Sequence, residues 1–138
     1  MAVGLKLGSI TDEIGTSDFF HSFFLTIAGN LEPKGWGTKF PVIMNKFYYG
    51  ELQQFDAGTA LSELNKISEE LSLISPDKVI WDIDNGKKEP PWGNKIAATI
   101  TNLSNYFITS TGRDLISNIR EVMEDLKENG GKIEIVKC

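Results

Sequence analysis

The sequence has little of the side-chain chemistry from which active sites are usually built. It contains one histidine, His21, and one cysteine, Cys138, in 138 residues. A single thiol cannot form an internal disulfide or a structural zinc site, and a terminal cysteine is a poor candidate for a nucleophile. One unpaired thiol is typical of a protein that folds in the reducing cytosol.

Long apolar runs are also missing. No stretch approaches the roughly 20 consecutive apolar residues that a membrane-spanning helix needs. The first eight residues, MAVGLKLG, lack the basic head and apolar stretch of a secretory signal. We therefore expect a soluble cytoplasmic protein without membrane contact. The length and the absence of repeats or linkers predict a single domain over residues 1–138.

The common catalytic and cofactor-binding motifs are absent as well. There is no Gly-x-Ser-x-Gly, no histidine pair with metal-ligand spacing and no phosphate loop ending in Lys-Ser/Thr. His21 lies between Phe20 and Phe23 on a predicted helix, where it is either a partly exposed helical residue or a general base. We expect no enzymatic activity, no cofactor and no bound metal.

The charge balance is acidic. Nineteen Asp and Glu against fourteen Lys and Arg give a net charge of −5. Such a surface repels nucleic acid and anionic membranes and attracts basic partners, so we expect no nucleic-acid binding. The alternative is an acidic soluble protein whose charge has no specific role.

Hydrophobic periodicity predicts an α+β domain, a small sheet packed with about four helices. The predicted order is β-α-α-α-β-β-α-β: a strand at 3–7, helices at 19–31, 41–50 and 57–74, strands at 79–84 and 106–109, a helix at 115–126 and a strand at 132–136. Four phenylalanines at 19–24 are typical of a core. We expect five helical residues to be buried against the sheet: Leu64, Ile67, Leu71, Ile119 and Val122.

The segment from Asp82 to Trp92, which covers the end of the strand predicted at 79–84 and the loop after it, is the candidate partner-binding surface. Asp82 and Asp84 are two residues apart, so both would project from one face of a strand. Glu89 adds a third carboxylate, the prolines at 90–91 reduce loop entropy, and Trp92 has the chemistry of an interface anchor. These four residues, Asp82, Asp84, Glu89 and Trp92, are the predicted partner-binding residues.

Alternatives for these residues stay open at this stage. The two aspartates have the spacing for a metal site or an acid–base pair, or they are simply solvated. Trp36 and Trp92 each either fill the core or anchor an interface. The acidic residues of the helix predicted at 57–74 form a rival binding patch.

Four stretches together resemble a known family. They are GSITDEIGTSDFFHSFF, GWGTKFPVIMNKFYYGEL, VIWDIDNGKKEPPWG and LSNYFITSTGRDL. In this order and spacing they are similar to the immunity proteins of bacterial polymorphic toxin systems, of the immunity-protein-70 type. The resemblance extends from Val3 to the last predicted helix.

The resemblance implies a cytosolic antitoxin that binds a cognate toxin domain and blocks it. A nuclease is one class of toxin that an acidic antitoxin can block. It carries no catalytic residues to positions of this chain. Two other classes remain as alternatives: a small hydrolase or metal-dependent enzyme that uses Asp82, Asp84 and His21, or an acidic adaptor or regulatory subunit. Oligomeric state cannot be read from the sequence.

Overall fold

Pairing of the first strand with the last organises the sheet. The computed structural model describes residues 2–80 and 100–137. Strand β1 (Ala2–Leu7) pairs with β2 (Ile10–Thr16) on one side and with β4 (Lys132–Lys137) on the other, and β3 (Leu52–Gln53) pairs with β4. All pairings are antiparallel, and the strand order is β2-β1-β4-β3. The α+β class predicted from the sequence is confirmed.

Three long helices complete the described structure. They are α1 (Ser17–Leu31), α2 (Gln54–Leu71) and α3 (Leu115–Asn129). Two short helical segments join them, a π-helical turn at Ile43–Phe47 and a 3₁₀ turn at Pro76–Lys78. The predicted helices at 19–31, 57–74 and 115–126 are therefore confirmed, with boundaries shifted by a few residues.

Side-chain caps mark the beginnings of two of the long helices, α1 and α3. The Thr16 hydroxyl accepts the Phe19 N–H at 3.1 Å, and the Asp114 carboxylate accepts the Ser117 N–H at 3.0 Å. Each cap satisfies one of the first N–H groups of a helix, which have no partner within it. Helix α3 ends at Gly130, whose φ of 83° is accessible to glycine without strain.

Helix α1 is the centre of the core. Ten of its fifteen residues are buried, on nearly every side of the helix. Phe23 packs edge to face against Phe107, with ring centroids 5.2 Å apart, and Phe20 does the same against Phe24 at 4.9 Å. Because the helix is covered on most of its sides, its apolar residues extend beyond one stripe.

The predicted core residues of the other two helices are confirmed as buried: Leu64, Ile67, Leu71, Ile119 and Val122. Their packing partner differs from the prediction, because α2 and α3 pack extensively along each other as well as on the sheet. The two apolar faces therefore cover one another.

The sequence prediction was wrong about several short elements. Two strands were missed, β2 and β3. Residues 106–109 do not form a strand, since this segment has only an isolated bridge between Ile108 and Asp114. The predicted helix at 41–50 is a shorter π-helical turn. The strand predicted at 79–84 lies outside the described residues beyond Ile80.

Candidate functional site

The four predicted partner-binding residues, Asp82, Asp84, Glu89 and Trp92, lie outside the described residues. Their assignment to a partner-binding surface therefore stays a prediction. What the structure does describe is the chain on either side of them, which ends at Ile80 and resumes at Ile100.

The last described residue before that segment, Ile80, is hydrogen-bonded to two hydroxyl groups of α1. The Ile80 N–H donates to Thr26 Oγ1 at 3.0 Å, and Ser22 Oγ donates to the Ile80 carbonyl at 2.8 Å. One turn further along, the Asn30 side chain donates to the Lys78 carbonyl at 3.0 Å. Ser22 and Thr26 are buried, so these bonds are shielded from competition with water. Sequence reasoning missed this clamp because its members are 54 and 58 residues apart.

On α2, the rival acidic patch is partly structural. Glu63 accepts the backbone N–H groups of Ile43 at 2.9 Å and Val42 at 3.3 Å. Burial raises the pKa of Glu63, the two backbone hydrogen bonds oppose that rise, and the charge of Glu32 adds to it. Glu70 forms an ion pair with Lys39. Of the acidic residues on this helix, only Glu69 is exposed with a carboxylate that has no partner among the described residues.

A second carboxylate, Glu32, holds the loop that follows α1. It is 2% exposed and accepts the N–H groups of Gly37, Lys39 and Phe40, each at 3.0 Å. A buried carboxylate with three backbone donors is well compensated for its loss of water. Glu32 therefore has a structural role, and its carboxylate is not accessible to a binding partner.

The lone histidine lies in an aromatic cluster. His21 is exposed and stacks on Tyr48, with ring centroids 5.8 Å apart and an interplanar angle of 20°. Trp36 also contacts Tyr48 at 5.4 Å, and its indole N–H donates to the Met44 carbonyl at 3.0 Å. Trp36 is half-buried, so it both packs on the core and reaches the surface. Within the described residues, His21 has no carboxylate partner of the kind that orients a general base.

The exposed features that sequence reasoning missed are of two kinds. Large apolar side chains stand at the surface, with Leu73 84%, Phe55 78%, Ile10 62% and Tyr49 62% exposed. Helix α3 presents an outward acidic side formed by Glu121, Glu124, Asp125 and Glu128. The helix's strong amphipathic pattern carries a signal for this side, since the residues alternate with its buried stripe.

Two features, a metal-ligand cluster and a membrane-spanning helix, are absent from the described part of the chain. Within residues 2–80 and 100–137, no group of three or more His, Cys, Asp and Glu side chains is placed to hold a metal ion. None of the helices there combines the length and the apolar character that crossing a membrane requires.

A protein family matches this chain. The model of the family described as Immunity protein 70 matches residues 5–135, which is nearly the whole chain. No curated protein and no solved structure matches the sequence.

Proposed function

We infer that this chain, which belongs to the immunity protein 70 family, binds a cognate toxin domain and blocks its action. The family match over residues 5–135 is the observation that carries this proposal. An immunity protein protects the cell that makes the toxin, so its work is tight capture of one protein partner. We propose that it does this in the cytoplasm, without turnover and without a cofactor.

Charge supports a basic toxin surface as the target. The chain has a net charge of −5, and complementary charge accelerates association to about 10⁸–10⁹ M⁻¹s⁻¹ at low salt. A toxin domain that acts on nucleic acid needs a basic cleft to hold phosphates. An acidic protein that occupies such a cleft excludes the substrate. We therefore propose a nuclease as the class of toxin that this chain fits best.

The proposed contact segment is the one predicted from the sequence. Asp82, Asp84 and Glu89 supply carboxylates, and Trp92 supplies an aromatic anchor of the kind that dominates binding energy at interfaces. The described structure adds support on one side only: the hydroxyl clamp at Ile80 fixes the chain immediately before the segment. A fixed starting point reduces the entropy lost when a loop is ordered by its partner.

Co-expression tests the function directly. The chain is produced in cells together with the toxin domain encoded next to its gene, and growth and complex formation are scored. We expect the chain to restore growth and to co-purify with that toxin domain, and to do neither with a toxin domain taken from an unrelated locus. Loss of growth despite soluble, folded chain would contradict the proposal.

A further inference from the structure

A groove opens at the edge of the sheet between the β1–β2 hairpin and α3. It has a volume of about 350 Å³, and its lining includes Leu7, Ile10, Asp12, Val122, Asp125 and Asn129. Leu7 and Ile10 are directly paired across the hairpin, so they project from the same face of the sheet. The turn that joins them contains Gly8, at a φ of 63°.

The floor of the groove is apolar. Val122 is buried and Leu7 packs against the core, whereas Ile10 is 62% exposed. Ile10 lies on the helix-facing side of the sheet, because it is paired with Leu7, and Leu5 on the same face of β1 is only 1% exposed. An isoleucine on that face without a cover leaves an apolar position open to an incoming side chain.

The walls of the groove are acidic. Asp12 stands on the strand side and Asp125 on the helix side, and no Lys or Arg is among the lining residues. Glu124 and Glu128 extend the negative charge along the exposed side of α3. The cations of this helix, Arg120 and Lys127, line a different groove, between α3 and α2. The negative charges of Asp12 and Asp125 are therefore not neutralised by any cation that lines this groove.

Strand β2 is an edge of the sheet, and its end near Glu13 and Ile14 is covered by Ser110. The Ser110 N–H donates to the Ile14 carbonyl at 2.9 Å, and its hydroxyl donates to Glu13 at 2.6 Å. No described strand pairs with the outer side of β2, which is the edge of the sheet. The part of the edge beside Ile10 therefore leaves room for an extended segment.

We propose that this groove receives an extended segment of the cognate toxin domain that carries an apolar side chain flanked by lysine or arginine. The apolar side chain would cover Ile10, and the cations would pair with Asp12 and Asp125. This inference rests on the proposed function and adds a docking position separate from residues 82–92. Charge complementarity selects a basic protein segment as the occupant.

The test compares two double variants of the full chain that change the charge equally. Ile10→Ser with Asp125→Lys removes the apolar position and reverses one wall of the groove. Leu73→Ser with Glu51→Lys makes equivalent changes at exposed positions outside the groove and outside the acidic patch of α2. Each is titrated with the toxin domain encoded next to the gene. Hydrogen exchange of the wild-type chain, with and without this toxin domain, gives a second reading that needs no variant.

We expect the groove variant to raise Kd at least about thirtyfold, as the loss of a binding hot spot does, while the matched control stays within about twofold. Amides of residues 10–12 and 122–131 should gain protection in the complex. If both variants bind like wild type and these amides gain no protection, the groove is not the docking position although the proposed function stands. If wild-type chain fails to bind the toxin domain, the proposed function falls together with this inference.

Discussion

The carboxylate of Glu63 on α2 accepts the backbone N–H of Ile43, 20 residues earlier in the chain, at 2.9 Å. The same carboxylate accepts the Val42 N–H, so it sits at the beginning of the short helical turn that follows Pro41. Free N–H groups at a helix start favour a negative charge. Burial nevertheless raises the pKa of Glu63 above its ordinary value of 4.5, which makes this contact sensitive to pH.

The first prediction concerns that sensitivity. Because the pKa of Glu63 is higher in the folded protein than in the unfolded chain, the folded protein binds this proton more tightly. Stability therefore falls as the pH rises through the raised pKa. Glu63→Gln removes the titration, so its free energy of unfolding relative to wild type should increase between about pH 4 and pH 7. Urea denaturation at the two pH values measures this. A relative stability that decreases over the same interval would contradict it.

The second prediction concerns Glu32, which satisfies three backbone N–H groups from within the core. Glu32→Ala leaves these donors without an acceptor, and each buried unsatisfied donor costs about 1–3 kcal/mol. Two of the three donors, the N–H groups of Gly37 and Phe40, are buried, so we expect the free energy of unfolding to fall by about 2 kcal/mol or more. Glu69→Ala, at an exposed position of α2, should change it by no more than about 0.5 kcal/mol. Equal losses in the two variants would show that Glu32 is not a structural residue.

The long helices could be predicted from the sequence because their signals are local. Thr16 and Asp114 are caps of recognised type, and Gly130 ends α3 where the apolar stripe ends. Strand β2 gave no comparable signal, since only Ile14 among its seven residues is buried. Residues 106–109 gave a misleading one: Phe107 is apolar because it packs on Phe19 and Phe23, not because it belongs to a sheet.

The candidate site was less accessible to sequence reasoning. Helical spacing places Glu63 among the acidic residues of the patch predicted on the helix at 57–74, but its partners at 42–43 belong to a different element and cannot be inferred from that spacing. The clamp on Ile80 was missed for the same reason, because Ser22 and Thr26 read as polar interruptions of an apolar helix. Long-range hydrogen bonds decide which carboxylates and hydroxyls are open to a partner, and periodicity carries no information on them.

The third prediction checks the packing of α2. Leu64 is fully buried, whereas Leu73 is 84% exposed two residues after the helix ends. Leu64→Ala should lower the free energy of unfolding by about 2–5 kcal/mol through lost burial and a residual cavity. Leu73→Ala should change it by no more than about 0.5 kcal/mol. Chemical denaturation of both variants measures the difference, and an unchanged midpoint for Leu64→Ala would show that this face of the helix is not core.

The fourth prediction tests the hydroxyl clamp. Thr26→Val keeps the shape of the side chain but removes the acceptor of the Ile80 N–H. We expect faster hydrogen exchange at the Ile80 amide. The Leu103 amide, which donates to the Ile74 carbonyl at 2.9 Å, serves as an internal reference and should exchange at the wild-type rate. Parallel acceleration at both amides would indicate global destabilisation instead of a local clamp.

The last prediction concerns residues 82–92 as the partner-binding segment. If the carboxylates there attract a basic toxin surface, Asp84→Lys with Glu89→Lys should slow association at low salt by about tenfold or more, and the difference should shrink as salt screens the charges. Asp77→Lys with Glu51→Lys makes the same change in net charge at exposed positions outside the segment and outside the acidic patch of α2, so it separates a local contact from the overall field. Stopped-flow association with the cognate toxin domain at two salt concentrations measures both variants. Equal rates for the two, together with full protection of cells by the first, would place the interface on another surface, with the groove beside Ile10 as the next position to test.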